Sequence, residues 1–152
     1  MVKHMSRKYH QGIYKIKNRE KYLGDPDNIV YRSSWELKML QFLDKTEDII
    51  NFSSEEIVIP YVSPADGKYH RYFPDFFVKV KQKDGTLKSM ILEVKPHAQT
   101  IEPKVKKRVT KGYINEVVTY GVNQAKWKAA REYCLDRGWE FRTITEFDIG
   151  IK

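Results

Sequence analysis

Hydrophobic and polar positions alternate most regularly in the middle of the chain. Residues 76–80 are aromatic or β-branched apart from one lysine, as strands prefer, and residues 90–94 are a second apolar run. Asp84 and Gly85 lie between them and are typical of a two-residue type I′ hairpin turn, because that turn needs positive φ at both central positions. The pattern therefore predicts an antiparallel hairpin.

The predicted hairpin brings charged side chains together at its open end. With the turn in that position, Asp75 faces Val94 and lies diagonally across from Glu93 and Lys95. Apolar residues surround them, and carboxylates are rarely buried unless they are paired or bind a metal. Hard oxygen ligands suit Mg²⁺ or Mn²⁺, and a nearby lysine can hold a water or balance phosphate charge. Asp75, Glu93 and Lys95 are therefore candidate catalytic residues; the alternative is a solvated ion pair on a surface hairpin.

The rest of the chain shows helical and strand patterns in turn, which predicts an α/β fold. A helix is predicted at 33–44, where Ser33 is a good N-cap and apolar residues recur at helical spacing. Residues 51–56 are interpreted as a connection. The further predicted elements are strands at 57–62, 68–73 and 139–145, and helices at 113–120 and 123–137, the last ended by Gly138. The predicted order is a helix, a three-strand antiparallel meander, a helix and a further parallel strand.

Glu36 lies on the apolar side of the first predicted helix, four and seven residues before Leu40 and Leu43. A carboxylate in that position needs a reason. One reason is a capping box, in which Glu36 accepts a hydrogen bond from the Ser33 amide. The other is a catalytic role as a third acidic group directed at the metal site, and the two roles are compatible.

Composition indicates a basic protein with one main domain. The chain has 152 residues, a net charge of +8 and a pI of about 9.4, so an acidic partner such as nucleic acid is expected. Cys134 is the single cysteine, which excludes an internal disulfide. No bilayer-spanning apolar run and no signal peptide are visible, so no membrane partner is expected. We predict a basic arm at 1–28, either DNA-binding or solvated, followed by one domain at 29–152.

A second group of cations follows the predicted hairpin. Five cations fall within eight residues, which is typical of a phosphate-binding loop but also of a solvated charge run. With Arg32, which lies beside the first predicted helix, they are the candidate DNA-binding residues: Lys104, Lys106, Lys107, Arg108 and Lys111.

The residues Pro74-Asp75 followed by Glu93-Val94-Lys95 resemble the signature of the PD-(D/E)XK nuclease superfamily. The resemblance covers about residues 30–145 and implies a PD-(D/E)XK nuclease core that hydrolyses phosphodiester bonds in DNA. It also implies Mg²⁺, with Mn²⁺ as a substitute, held by Asp75, Glu93 and the backbone carbonyl of Val94, with Lys95 as the third member of the signature. Members often carry an acid on the first helix, a position that Glu36 matches here.

Two narrower families also resemble the chain. Residues 124–146 are similar to the TnsA-type transposition endonucleases. Tyr31-Arg32-Ser33-Ser34-Trp35-Glu36 and Arg71-Tyr72-Phe73-Pro74-Asp75-Phe76 are similar to the head completion nucleases of T-even-like tailed phages. The second resemblance implies a nuclease that acts on packaged double-stranded DNA before heads join tails. It implies phage head or neck proteins as partners, and a location in the host cytoplasm during phage assembly or in the virion head or neck.

Two other functions fit the same residues. One is a TnsA-like subunit of a transposase complex that is active only with its partners. The other is a non-catalytic, DNA-binding structural protein of a virion, which the basic charge supports equally well. The presence of Asp75, Glu93 and Lys95 argues against the non-catalytic alternative, because an inactive site has no evident need for all three.

Overall fold

A computed structural model describes residues 11–149, which form an α/β fold around a four-stranded sheet. The two α-helices are α1 (Ser34–Lys45) and α2 (Lys111–Arg137), and short 3-10 helices lie at Arg19–Lys21 and His97–Gln99. The strands are β1 (Gly12–Tyr14), β2 (Ile29–Tyr31), β3 (Ile49–Ser54), β4 (Ile59–Val62), β5 (Tyr69–Tyr72), β6 (Phe76–Lys81), β7 (Leu87–Val94) and β8 (Glu140–Ile144). The mixed α/β class predicted from the sequence is confirmed.

The central sheet has the strand order β3-β6-β7-β8. β6 is antiparallel to both β3 and β7, whereas β8 is parallel to β7. A parallel pair needs a long crossover connection, and α2 lies in that connection. β1 pairs with β2, and β4 pairs with β5, in two separate two-stranded sheets. The strands predicted at 57–62 and 68–73 therefore form a hairpin of their own and do not join the central sheet.

The prediction of a connection at 51–56 was wrong, because most of this segment belongs to β3. A break in the pairing register between Ile49 and Asn51 puts Ile49 and Phe52 in the core although they are three residues apart. A β-bulge of this kind interrupts the period-two pattern by which a strand is recognised in a sequence.

The β6–β7 hairpin has a three-residue loop in place of the predicted two-residue turn. The Gln82 amide donates to the Thr86 carbonyl at 2.8 Å, and the Gly85 amide donates to the Gln82 carbonyl at 3.0 Å. Gly85 has φ +86°, the left-handed conformation that ends a type I turn in such loops. The pairing register consequently differs by one residue from the predicted one: Phe76 pairs with Leu92, so Asp75 lies beside Glu93 instead of Val94.

Helix α2 is continuous, although two separate helices were predicted at 113–120 and 123–137. Its buried residues lie between its middle and its C-terminal end, from Asn123 to Cys134, and Gly138 ends it as predicted, with φ 71°. The Trp139 amide closes this cap by donating to the Cys134 carbonyl at 2.8 Å. Within residues 11–149, neither α-helix is long and apolar enough to cross a membrane.

The central sheet separates two apolar clusters. On one face, α1 packs Leu40 and Leu43 against sheet residues such as Phe76 and Leu92. On the other face, Ile91 packs with three residues of α2 and with the β4–β5 hairpin, and the buried members of this second cluster are Ile59, Tyr61, Tyr72, Ile91, Trp127, Ala130 and Cys134. Alternate residues of β7 thus point to opposite layers, and Glu93 points to the same layer as Ile91.

Part of the predicted 1–28 arm packs against the domain. Tyr22 is buried in the cluster on the α1 side, and the Lys21 ammonium donates to three carbonyls at the end of α1. Arg7 and Lys8, two cations of the predicted arm, lie outside the described residues.

Candidate active site

Asp75 and Glu93 lie at the adjoining ends of β6 and β7. Asp75 immediately precedes β6, and its Oδ2 accepts a hydrogen bond from the Val94 amide at 2.7 Å. Its backbone carbonyl accepts from the Glu55 amide, next to β3, at 3.1 Å. Asp75 is half-buried and Glu93 is buried. The β7 side therefore holds the Asp75 carboxylate, and the β3 side holds the Asp75 backbone.

Both carboxylate oxygens of Glu93 have partners within the protein. Oε1 accepts a hydrogen bond from the Tyr72 hydroxyl at 2.7 Å, and the Lys95 ammonium lies 3.4 Å from Oε2. Lys95 is half-buried, and its amide donates to the Ile144 carbonyl of β8 at 2.9 Å. The structure thus brings Asp75, Glu93 and Lys95 together at the predicted end of the hairpin.

The site carries an excess of negative charge. Burial, followed by the neighbouring carboxylate of Glu93 and the more distant one of Glu36, raises the pKa of Asp75 well above its usual range. The Val94 amide and the Lys95 ammonium oppose this rise only in part. Two neighbouring carboxyl groups beside a single ammonium leave a local excess of negative charge, which favours the binding of a cation.

Glu36 lies at the beginning of α1, where Ser33 is the N-cap as predicted. The Ser33 hydroxyl accepts a hydrogen bond from the Glu36 amide at 3.1 Å. The Glu36 carboxylate accepts from the Arg32 amide at 3.1 Å instead of the Ser33 amide, so only the half of the predicted capping box that the Ser33 hydroxyl forms is present. Burial raises the pKa of Glu36, and the nearby Glu55 carboxylate adds to the rise.

The donor set fits a small hard cation that retains water. Within residues 11–149, no three His, Cys, Asp or Glu side chains are close enough together to hold an ion on their own. The carboxylates at this end of the hairpin are those of Asp75 and Glu93. Mg²⁺ is usually held by one or two carboxylates and keeps several waters, and this small oxygen set suits it.

The predicted DNA-binding residues fall into two places. The loop between the 3-10 helix at His97–Gln99 and α2 exposes four of its cations, and Lys111 is the first residue of α2. Within this group, the Lys106 ammonium lies 3.5 Å from Glu116 and 5.7 Å from the centre of the Tyr113 ring. Arg32 precedes α1 and forms an ion pair with Glu55.

Two residues near the site were missed by reasoning from the sequence. The sequence predicts Tyr72 only as part of a strand, whereas in the structure its hydroxyl contacts Glu93. The one feature of the sequence that indicates a place near the site is its position three residues before Asp75. Glu55 has φ 55°, an uncommon conformation for a residue other than glycine, and its amide contacts the Asp75 carbonyl. Nothing in the local sequence indicates that conformation.

Comparison with known proteins shows the family to which the chain belongs. Residues 46–146 match the family model described as TnsA-like endonuclease N terminal, a span that runs from the beginning of β3 past the end of β8 and includes Asp75, Glu93 and Lys95. The chain belongs to this family of TnsA-like endonucleases. It is also 40% identical, over 141 residues, to the head completion nuclease of Enterobacteria phage T4; the alignment covers 90% of this chain and 91% of that protein. The predicted nuclease relationship is confirmed by both comparisons.

Proposed function

We propose that the chain is a Mg²⁺-dependent DNA endonuclease of the PD-(D/E)XK type that acts in phage head completion. The observation that carries the proposal is the contact of Asp75 with Val94 and of Glu93 with Lys95 at one end of a hairpin. The similarity to the phage T4 protein along nine-tenths of the chain supports the head completion role.

In this proposal each residue of the site has a distinct task. Asp75, Glu93 and the Val94 carbonyl hold Mg²⁺, or Mn²⁺ as its substitute, and Glu36 completes the acidic cluster through water. The bound ion supplies a water of lowered pKa and stabilises negative charge on the phosphate. Lys95, which is close to Glu93 Oε2, orients the attacking water or neutralises the scissile phosphate.

The proposed substrate is packaged double-stranded DNA. The net charge of +8 favours binding to a polyanion, and the exposed cations at 104–111 are the proposed phosphate contacts together with Arg32. Head or neck proteins of the virion are the proposed partners. The proposed location is the host cytoplasm during assembly, or the head or neck of the finished particle.

Plasmid cleavage by the purified protein tests the catalytic part of the proposal. We expect nicking in Mg²⁺ that EDTA abolishes, and a loss of at least about 100-fold in Glu93→Gln and Lys95→Met, since removal of one charge-stabilising group commonly costs that much. Lys88→Met is the matched control: this lysine lies on the same strand but pairs with Glu140 outside the site, so its loss should leave cleavage unchanged. Equal cleavage by Lys95→Met and the wild type would overturn the assignment.

A second candidate is a TnsA-like nuclease subunit that is active only with its partners; the match to the TnsA-like endonuclease family supports its nuclease part. In that case the isolated chain binds Mn²⁺ in calorimetry but does not cut DNA. A virion protein without catalysis would neither bind the metal nor cut. Calorimetry alongside the plasmid assay therefore separates the three functions.

A further inference from the structure

The β4–β5 hairpin reaches the candidate site through a single side chain. Tyr72 is the last residue of β5 and the only buried one of the four in that strand. Its hydroxyl donates to Glu93 Oε1 at 2.7 Å, and the two side chains are only 4% and 7% exposed. Because β4 and β5 pair with no strand of the central sheet, this hydrogen bond is a direct polar link from the hairpin to the catalytic strand.

The bond constrains the carboxylate that is proposed to hold the ion. Tyr72 occupies Oε1, so the other oxygen, Oε2, is the one that lies near Lys95. A glutamate side chain has several rotatable bonds, and a short hydrogen bond to a charged acceptor removes much of that freedom before any ligand binds. The carboxylate is then already oriented when the ion arrives.

The Tyr72 ring is itself firmly held. It belongs to the buried cluster that contains Ile91 and Trp127, and the Lys126 ammonium lies 5.7 Å from its centre. Because the Tyr72 ring is packed, its hydroxyl can fix the orientation of the Glu93 carboxylate, whereas the hydroxyl of a mobile surface side chain could not.

We propose that Tyr72 is a positioning residue, which orients the Glu93 carboxylate for the divalent ion; this inference rests on the proposed metal-dependent nuclease. Partners in the outer shell of a metal site typically change metal affinity by about 10–100-fold when they are removed. Loss of the Tyr72 hydroxyl should therefore weaken metal binding without removing any metal ligand.

Tyr72→Phe tests the proposal, because it removes the hydroxyl and keeps the ring. Tyr61→Phe is the matched control. Tyr61 is in the same hairpin and the same cluster, is 7% exposed, and lies under the same Lys126 ammonium at 5.9 Å. Among the described residues, no hydrogen bond joins the Tyr61 hydroxyl to Glu93, whose side-chain partners are Tyr72 and Lys95.

The primary measurement is Mn²⁺ binding by calorimetry, made below the melting temperature of each metal-free protein. We expect a dissociation constant about 10-fold higher in Tyr72→Phe and within two-fold of wild type in Tyr61→Phe. The Mg²⁺ concentration for half-maximal cleavage should rise by a similar factor, and the rate at saturating Mg²⁺ should recover. A purely structural role would lower the stability of Tyr72→Phe without this shift in metal dependence.

Two results overturn the positioning role. One is a Tyr72→Phe protein that binds Mn²⁺ as tightly as the wild type, and the other is one that does not fold without metal, which would make Tyr72 a structural residue. Glu93→Gln and the wild type distinguish this failure from failure of the proposed function. If the wild type itself neither binds Mn²⁺ nor cleaves DNA, the proposed metal-dependent nuclease fails. If the wild type does both, Glu93→Gln loses both and Tyr72→Phe behaves like the wild type, then the proposed role of Tyr72 alone fails.

Discussion

The same substitution, aspartate to asparagine, should have opposite effects on stability at Asp75 and at Asp44. At Asp75, burial and the carboxylates of Glu93 and Glu36 raise the pKa, so the folded state binds this proton more tightly than the unfolded chain. A carboxylate of this kind destabilises the fold increasingly as the pH rises above its unfolded pKa. Asp75→Asn removes the charge and keeps an oxygen to accept the hydrogen bond of the Val94 amide.

We expect Asp75→Asn to raise the free energy of unfolding of the metal-free protein at pH 7 by roughly 0.5–2 kcal/mol, the usual size of a single stabilising substitution. The same variant should lose Mn²⁺ binding and cleavage, because it removes a proposed ligand. The wild type should gain stability on addition of Mn²⁺ by linkage, and Asp75→Asn should not.

Asp44 is the matched control, since it is 2% exposed and lies away from the site at the end of α1. One oxygen accepts from the Tyr14 hydroxyl at 2.6 Å and the Lys17 amide at 2.9 Å. The other accepts from the amide and the side-chain nitrogen of Asn18, each at 3.0 Å. Burial would raise the pKa of Asp44, but these hydrogen bonds hold it below its usual value.

An asparagine at position 44 has a single oxygen and can accept only two of these four hydrogen bonds. Each lost bond to a charged acceptor costs about 1.5–3 kcal/mol, so Asp44→Asn should destabilise the protein by about 3–6 kcal/mol. The pKa of Asp44 is lower in the folded protein than in the unfolded chain. Its contribution to the free energy of unfolding is therefore complete above the pKa of the unfolded chain and is lost as the pH falls through the pKa of the folded protein.

Urea unfolding in EDTA, followed by tryptophan fluorescence at pH 7 and pH 4, measures both effects. The gain from Asp75→Asn should shrink at the lower pH, because Asp75 is then protonated in the folded protein and partly protonated in the unfolded chain. Most of the loss from Asp44→Asn should remain at pH 4, because the lowered pKa keeps Asp44 ionised in the folded protein. A loss of stability in Asp75→Asn at pH 7 would refute the electrostatic reasoning about the site.

Three further predictions concern the helix ends and the pH dependence. Lys21→Met should lower the free energy of unfolding by about 1–3 kcal/mol, because the ammonium donates at 2.8–2.9 Å to the carbonyls of residues 43, 44 and 46. An unchanged midpoint of urea unfolding would contradict this. Gly138→Ala should lower the stability measured by thermal unfolding by about 1–2 kcal/mol through left-handed strain alone, since no atom lies within 4 Å of an added Cβ. Gly112→Ala, at an ordinary helical φ, should not lower the stability in this way. Cleavage at limiting Mg²⁺ should fall as the pH is lowered toward the raised pKa values of Asp75 and Glu36, because protons then compete with the ion, and excess Mg²⁺ should restore it. A flat pH profile would count against these carboxylates.

Local chemistry explains what could be read from the sequence alone. Ser33 caps α1 and Gly138 ends α2 because capping depends on one residue and its nearest turn. The proximity of Asp75, Glu93 and Lys95 follows from a hairpin whose two strands are separated by a short loop, and it survives an error of one residue in register. The α/β class follows from the alternation of helical and strand patterns.

Tertiary structure decided the features that depend on residues far apart in the chain. The bulge in β3 is stable only because Ile49 and Phe52 both reach the core, and α2 runs through Gly121 because its C-terminal half packs on the sheet. The contact of Tyr72 with Glu93 joins segments 21 residues apart that belong to different sheets. No local pattern encodes such a contact, because it exists only once the hairpin has docked against α2.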